Sequence, residues 1–312
     1  MTGELRNLRR RYGIYPLCLL RRLLSRVPLG VSRTVLGFLG EAAYFVRRRD
    51  RARSLSNLLT AFGDSLRPKE IERLAGLSYR NLGYSVAEFL HFPRGDAFFN
   101  RLQVDFPDRD ILDRLVREGR GCVFVTAHVG NWELLAAWLA RQGYPVNVLA
   151  RPTRDDRMER ILHAYRTAGG VKVHWRGVST REMFRILENG EALGILGDLD
   201  TRGEGVFIPF FGRSAYTQVG AAKLAARTGA PLVTGFIART GPRSHKIRVT
   251  RCLYVSEDPH PGDGSVDVME AVRIYTDEIE SWIRKYPDQW IWMHARWKTT
   301  PERIARRKAR QK

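Results

Sequence analysis

The sequence predicts an α/β protein with a central, mostly parallel β-sheet flanked by helices, preceded by an N-terminal amphipathic helical segment. From about residue 102 onward, short β-rich runs alternate with stretches of helical periodicity, which is typical of a parallel sheet with crossover helices. The first 50 residues instead alternate apolar clusters with arginines. The chain has 312 residues, 44% of them hydrophobic, which is enough for one large core in one or two domains.

The predicted elements follow in chain order. The N-terminal segment is predicted as amphipathic helix broken near Pro28 and Gly30, and residues 54–92 as helical with Pro68 at a helix start. The runs CVFVT, VNVLA, ALGIL, VFIPFF, LVTGFIA and KIRVTRCLYV are predicted as strands. The stretches WELLAAWLARQG, RMERILHAYRTAGG and TQVGAAKLAARTGAP are predicted as helices, and residues 266–286 as a last helix that ends before Pro287.

The positive charge is concentrated at the two ends of the chain. The formal net charge is +20, of which residues 1–53 carry +10 and residues 296–312 carry +7. Nucleic acid and the cytoplasmic face of a membrane are the two natural partners, and each basic side chain gains about 1 kcal/mol at anionic lipid. A basic helix with an apolar face is typical of a membrane-surface helix, although docking on the domain would produce the same face. The excess of arginine favours the membrane.

The composition also excludes several classes of protein. The three cysteines are scattered, with neither metal-ligand spacing nor a disulfide framework, which suits a reducing compartment. The early apolar run IYPLCLL is followed at once by two arginines and lacks a cleavage site, so a secretory signal is not expected. No stretch reaches the roughly 18 uncharged apolar residues that a membrane span requires.

A histidine and a glutamate flank the predicted turn after CVFVT. His128 lies at the carboxyl end of this strand, where ligands bind in open α/β sheets. Asn131 is a good N-cap for the helix that begins WELLAAW, and Glu133 then falls in its first turn. In one continuous helix the two side chains would point about 140° apart, whereas a strand–turn–helix lets the carboxylate reach the imidazole. A histidine so held can act as a general base.

The spacing alone does not establish such a pair, because a loop histidine and a helix-start acid favoured by the helix dipole give the same pattern. The surrounding segments are more specific. HVGNWE resembles the H-x4-D/E motif of the lysophospholipid-acyltransferase-like superfamily, and in particular of the late acyltransferases of lipid A biosynthesis. The segments ARPTRDDRMERILHAYRTAGG, GDLDTRGEGVFIPFFG, KLAARTGAPLVTGFIAR and WIWMHARWKTTPE resemble further blocks of that family in the same order. The resemblance covers nearly the whole chain.

The resemblance implies a glycerolipid acyltransferase-like fold and a specific reaction. A fatty acyl chain would pass from acyl carrier protein, or from acyl-CoA, to a hydroxyl of a lipid A precursor, with His128 as the base and Glu133 as its partner. No serine or cysteine stands in a nucleophile elbow, so direct attack of the activated hydroxyl on a thioester is the simpler mechanism. We expect no cofactor and no metal, because the other histidines show no ligand spacing.

Further polar residues are candidates for substrate binding, together with Asn131. Arg151 follows the strand VNVLA and Arg166 lies in the next helix, where an arginine can bind a phosphate, stabilise an oxyanion or pair with nearby acids. Asp198 and Asp200, in the loop GDLDTRGEG, could orient the His128 loop, bind sugar hydroxyls or hold Arg151, although such residues also form plain polar turns.

Other residues of the same blocks are less decisive. Leu199, Thr201 and Arg202 depart from residues common in lipid A enzymes, which leaves the acceptor open. The tryptophans of QWIWMHARW could line an acyl groove or an interfacial belt, with core packing expected for at least one of them. His294 is expected to be structural.

The predicted organisation is residues 1–53 as basic amphipathic membrane-associating helices, 54–300 as the acyltransferase domain and 301–312 as a basic C-terminal tail. We expect peripheral or monotopic association with the anionic cytoplasmic face of the inner membrane. One alternative is a related enzyme with another glycolipid acceptor, such as phosphatidylinositol mannoside. Another is a nucleic-acid-binding protein that uses the basic ends, but no such motif accompanies the charge, so no nucleic-acid partner is expected.

Overall fold

The computed structural model describes residues 14–150, 155–175, 177, 179–201, 203–260 and 264–309. The described part of the chain begins with four helices, α1 to α4, and continues as an α/β domain. In order, the elements are α1 (Ile14–Leu24), α2 (Leu29–Val46), α3 (Arg48–Phe62), α4 (Pro68–Phe89), α5 (Asp96–Phe99), β1 (Gln103–Asp105), α6 (Arg109–Arg117), β2 (Cys122–Thr126), α7 (Trp132–Arg141), β3 (Val146–Ala150), α8 (Asp156–Ala168), β4 (Lys172–Trp175), α9 (Thr180–Glu188), β5 (Ala192–Leu196), β6 (Gly205–Phe210), β7 (Arg213–Gln218), α10 (Gly220–Thr228), β8 (Leu232–Arg239), β9 (Ser244–Ser256), β10 (Ser265–Asp267), α11 (Val268–Lys285) and α12 (Pro301–Ala309).

The central sheet has the order β1-β9-β8-β2-β5-β3-β4, with β10 beside β9. All of its strand pairs are parallel except β8–β9, which is antiparallel. The predicted α/β class with a mostly parallel sheet is therefore confirmed. The neighbouring strands β2 and β5 run in register, with Thr126 opposite Leu196, so their carboxyl ends meet at one edge.

Alternate residues of the sheet face two separate cores. Val123 and Val125 of β2 belong to one buried cluster, whereas Cys122 and Phe124 belong to the other. Because successive side chains of a strand point to opposite faces, a strand covered by helices on both sides reads as a continuous apolar run. This is why CVFVT lacks the alternation of polar and apolar residues that a half-exposed strand would show.

Several elements differ from their predicted bounds. Residues 54–92 are largely helical, and the predicted helix start at Pro68 is confirmed, but the preceding helix α3 already begins at Arg48 and ends at Phe62. The run VFIPFF forms β6, which pairs with β7 in a separate antiparallel hairpin. Residues Thr217 and Gln218, predicted at the start of a helix, are the end of β7 because they pair with β6. The short strands β1, β4 and β10 were too brief to predict.

The N-terminal helices dock on the domain with one face and expose another. α2 packs on α4 at glycines: a Cβ added to Gly40 would lie 2.3 Å from the Tyr79 carbonyl oxygen, and one added to Gly83 would lie 2.1 Å from that of Leu36. On the outer surface, Phe38 and Phe45 are 70% and 61% exposed. No described helix combines the length and apolar character needed to cross a bilayer.

Candidate active site

A cavity of about 840 Å³ lies between the sheet and the helices α6 and α7. Cys122 and His128 both line the cavity and are six residues apart in the sequence. At roughly 3.3 Å per residue of extended chain, the cavity therefore runs along about 20 Å of the backbone. Its size falls within the usual range for small-molecule sites. The cavity is mainly apolar toward the amino end of β2, where Arg120 also lines it, and polar at the carboxyl end.

The two ends of the cavity carry different side chains. At the amino end, Leu112 and Leu115 of α6, Leu139 of α7 and Val146 of β3 form an apolar lining. At the carboxyl end the lining is polar and includes, among others, His128, Glu133, Arg166, Asp200, His294 and Lys298. Such a cavity can hold a long apolar group with its reactive end beside His128.

The loop after β2 fixes the position of His128. The strand ends at Thr126, and α7 begins at Trp132 with Asn131 as its N-cap, whose Oδ1 accepts from the Leu134 N–H at 3.1 Å. Gly130 has φ +63°, and an added Cβ would lie 2.1 Å from the Ile237 carbonyl oxygen. Both the strand–turn–helix and the Asn131 cap are therefore confirmed, and only glycine fits the turn between them.

The carboxylate that holds His128 is Asp198. The His128 ring donates from Nδ1 to Asp198 Oδ1 at 2.9 Å, and the His128 backbone N–H donates to Oδ2 at 3.1 Å. The indole N–H of Trp290 donates to the same Oδ2 at 2.7 Å. This arrangement fixes the protonated nitrogen as Nδ1 and leaves Nε2 available as a proton acceptor.

Asp198 remains ionised although its side chain is fully buried. Burial by itself raises the pKa of a carboxyl group, but the charge on His128 and the hydrogen bonds from His128 and Trp290 outweigh it and lower the pKa to about 2. A buried, ionised carboxylate against Nδ1 stabilises the imidazolium that forms when Nε2 takes a proton.

Glu133 has a different partner from the one expected. Its carboxylate accepts two hydrogen bonds from Arg166, from Nε at 2.9 Å and from Nη2 at 2.6 Å, and no hydrogen bond or ion pair joins it to His128 in the described chain. The predicted contact is thus replaced by His128–Asp198. The reason is register: His128 and Asp198 each lie two residues beyond the paired Thr126 and Leu196.

Arg166 and Glu133 form a largely buried pair at the polar end of the cavity. Burial lowers the pKa of the Arg166 guanidinium, and the hydrogen bonds and charge of Glu133 raise it above the usual value. Since both residues line the cavity, the structure brings these two predicted site residues together. The other predicted arginine, Arg151, lies outside the described residues.

The remaining predicted site residues have internal partners. Asp200 lines the cavity and accepts from the backbone N–H and hydroxyl of Thr299 at 2.6 and 2.8 Å. It therefore fastens the segment before α12 to the loop after β5. Asn131 is 1% exposed and donates from Nδ2 to Glu88 at 2.8 Å. Its amide is used within the protein, and it does not line the cavity.

His294 was expected to be structural and Trp290 to line an acyl groove, an interfacial belt or the core, so their contacts with His128 and Asp198 were not predicted. The His294 ring lies 5.4 Å from that of His128 and lines the cavity. Burial, followed by the charge of His128, lowers the pKa of His294, which favours its neutral form. Trp290 and Trp292 are 1% and 0% exposed, so core packing is confirmed for them. No local spacing could have revealed contacts to a strand end so distant in the sequence.

A sequence profile of the bacterial lipid A biosynthesis acyltransferases matches residues 4–299. The chain belongs to this family. It is therefore an acyltransferase, and the predicted resemblance is confirmed.

Individual relatives cover most of the chain. It is 26% identical to a phosphatidylinositol mannoside acyltransferase of Mycolicibacterium smegmatis over 88% of each chain. It is 23% identical to a lipid A biosynthesis acyltransferase of Haemophilus influenzae, over 87% of this chain and 83% of the relative. It is 26% identical to a lipid A biosynthesis palmitoleoyltransferase of Escherichia coli over 86% of each.

Proposed function

We propose that this acyltransferase transfers a fatty acyl chain from acyl carrier protein to a hydroxyl of a glycolipid, with a lipid A precursor as the first candidate acceptor. The observation that carries the proposal is the His128–Asp198 pair at the polar end of an otherwise apolar cavity. The apolar part suits an acyl chain, and the pair suits the activation of a hydroxyl.

The reaction follows from the tautomer of His128. Nε2 accepts the proton of the acceptor hydroxyl while its oxygen attacks the thioester carbonyl, and Asp198 stabilises the resulting imidazolium. As the tetrahedral intermediate collapses, the carbon–sulfur bond breaks and the thiolate takes the proton from Nε2. The products are an ester and a free thiol, and His128 returns to its neutral form.

Arg166 is proposed to bind negative charge near the reacting atoms. Its guanidinium lies at the polar end of the cavity and is fixed there by two hydrogen bonds to Glu133. A fixed guanidinium binds a phosphate or a developing oxyanion well. In this account Glu133 acts through Arg166. Arg151, the next residue in the sequence after Ala150, is proposed to share this task, and Asp200 to bind acceptor hydroxyls.

The enzyme is proposed to work at the cytoplasmic face of the inner membrane. Phe38 and Phe45 of α2 are exposed beside a segment rich in arginine. An exposed apolar face with neighbouring basic side chains binds an anionic lipid surface without crossing it. Binding there would place the cavity near acceptors that are themselves lipids.

A phosphatidylinositol mannoside is the second candidate acceptor. The relative from Mycolicibacterium smegmatis, similar over 88% of each chain, carries that activity in its name. Both acceptors present sugar hydroxyls close to phosphate, so the described cavity suits either. Acyl-CoA is the corresponding alternative to the carrier protein as donor.

The choice of donor and acceptor can be tested with purified protein in detergent. Mass spectrometry would detect one added acyl group after incubation with acyl carrier proteins or CoA bearing chains of different length. The acceptors would be a tetra-acylated lipid A precursor and a phosphatidylinositol mannoside. We expect addition to one acceptor class, and none with His128→Ala. No addition to either acceptor by folded wild-type protein would refute the proposal.

A further inference from the structure

A buried ion pair lies outside the cavity, between α4 and the end of β8. Glu88 is 0% exposed and Arg239 is 7% exposed. Arg239 donates from Nε to Glu88 Oε1 and from Nη2 to Oε2, both at 2.8 Å. Burial opposes the ionisation of Glu88, but the charge and hydrogen bonds of Arg239 hold its pKa well below the usual value. His245 also faces this carboxylate, with Nε2 at 3.4 Å.

A first set of hydrogen bonds connects this pair to the loop that carries His128. Glu88 Oε2 accepts from Asn131 Nδ2 at 2.8 Å. Arg239 Nη2 donates to the hydroxyl of Ser85 at 3.1 Å, and that hydroxyl shares its hydrogen between the Asn81 and Gly130 carbonyl oxygens, at 3.1 and 3.2 Å. The two residues that complete the turn after His128 are therefore both tied to the pair.

A second set of hydrogen bonds runs from the backbone of Arg239 to Asp198, the carboxylate that orients His128. The backbone N–H and carbonyl of Arg239 bond to the side chain of Gln289, each at 2.8 Å. The carbonyl of Gln289 accepts from the Gly130 N–H at 3.0 Å. The next residue, Trp290, donates to Asp198. The backbone of Arg239 thus connects to the carboxylate partner of His128, whereas the Glu88 and Arg239 side chains connect to the loop that carries His128.

A contribution to folding stability alone would not explain why a buried ion pair occupies this position. Well-packed apolar residues in place of a buried ion pair are often as stable or more so. A fixed geometry is a different requirement, because a misplacement of about 1 Å at a reacting group can cost about 100-fold in rate.

We propose that Glu88 and Arg239 are positioning residues whose side chains act through Asn131 and Ser85 to set the orientation of His128 toward Asp198. The inference rests on the proposed role of His128 as the base. It assigns no substrate contact to the pair, since neither residue lines the cavity.

The first test separates the two tasks of Asn131. Asn131→Ser keeps an N-cap acceptor for α7 but removes the donor to Glu88. The matched control is Asp267→Ser, which exchanges one capping residue for another at α11, where Asp267 accepts from the Glu270 N–H. We expect Asn131→Ser to lower kcat by about tenfold or more, with KM for the acyl donor within about twofold. Asp267→Ser should leave both unchanged.

A second readout does not depend on acyl transfer. In NMR spectra of protein with labelled histidine, the His128 resonance is identified by its loss in His128→Ala. Asn131→Ser should shift or broaden this resonance, whereas Asp267→Ser should not. A wild-type kcat together with an unchanged resonance in Asn131→Ser would overturn the inference. If wild-type protein transfers no acyl group, the proposed function fails, and the His128 resonance alone decides the positioning role.

The double variant Glu88→Leu/Arg239→Met tests the pair itself. It removes both charges together, so it avoids the unpaired buried charge that either single substitution would leave. We expect its melting temperature to exceed that of both single variants while kcat stays low and the His128 resonance stays altered. Recovery of kcat together with the melting temperature would show that the pair is merely structural.

Discussion

At the scale of single residues, the site depends on which carboxylate meets His128. Asp198 is 70 residues away in the sequence, yet it accepts from both the ring and the backbone of His128. Glu133, only five residues away, is held by Arg166. The H-x4-E motif therefore places two side chains with different proposed roles at the polar end of the cavity: His128 as the base, and Glu133 as the anchor of Arg166.

The Glu133–Arg166 pair should behave as one unit in a double-mutant cycle. Glu133→Gln loosens Arg166, and Arg166→Gln removes the same cation, so the two losses overlap. We expect the double variant to lose no more of kcat/KM than the worse single variant, because residues that act through one another are not additive. Steady-state kinetics of the three variants measures this. Additive losses would mean that Glu133 acts independently of Arg166.

Asp198 should also make the free energy of unfolding depend on pH. Its pKa is lowered from 3.8 to about 2 in the folded protein, so the unfolded chain takes up the proton first as the pH falls. The ionised group therefore contributes roughly 2 kcal/mol to the free energy of unfolding above pH 4 or so, and this contribution disappears as the pH falls toward 2.

Denaturant unfolding of wild type and Asp198→Asn between pH 5 and pH 3 checks this prediction. The comparison is needed because other carboxylates titrate in the same range. The stability advantage of the wild type should shrink steadily as the pH falls. An advantage that stays constant, or grows, would contradict the low pKa of Asp198.

At the scale of elements, the cavity follows β2 and β5 from an apolar to a polar end. Gly194 of β5 pairs with Phe124 near its middle and lines it. An added Cβ at Gly194 would make only ordinary contacts, at 3.4 and 3.5 Å. A larger side chain there can therefore enter the cavity without moving the backbone.

Gly194→Leu should shift the acyl preference to shorter chains, because it shortens the apolar space beyond the reacting end. The matched control is Gly76→Leu on α4, where an added Cβ meets nothing within 4 Å. Competition between donors of different chain length, read by mass spectrometry, measures the preference. An unchanged chain-length profile in Gly194→Leu would mean that the acyl chain lies elsewhere.

The N-terminal helices provide a second prediction at this scale. Phe38→Ser/Phe45→Ser removes two exposed aromatic side chains from α2 without touching its contact with α4, so co-sedimentation with anionic vesicles should weaken about tenfold or more. Met269→Ser, which alters an exposed apolar residue of α11, should bind as wild type does. Equal vesicle binding by the wild type and both variants would show that the exposed face of α2 does not contact the membrane.

Local patterns predicted the elements around the site better than they predicted its contacts. β2, the turn and the Asn131 cap could be predicted because apolar runs, glycine and capping residues act over a few positions. The partner of His128 could not, since it depends on the register between β2 and β5. A carboxylate nearer in sequence offered a simpler but incorrect pairing. His294 was missed for the same reason.

At the scale of the whole molecule, the described elements converge on one edge of the sheet. The loops after β2 and β5 supply His128 and Asp198, and the segment after α11 supplies Trp290 and His294. The basic N-terminal helices dock beside this framework and expose an apolar face. This arrangement supports the proposal of an acyltransferase whose base is oriented from a distant strand and whose acceptor lies in a membrane.

The rate of acyl transfer by Asp198→Asn tests this account most directly. With folded protein and saturating substrates, kcat should fall by about 10³-fold or more, because His128 would lose its fixed tautomer and its counter-charge. The melting temperature and the binding of donor would be measured on the same sample. A kcat within about tenfold of wild type would contradict the assignment of Asp198 as the partner of the base.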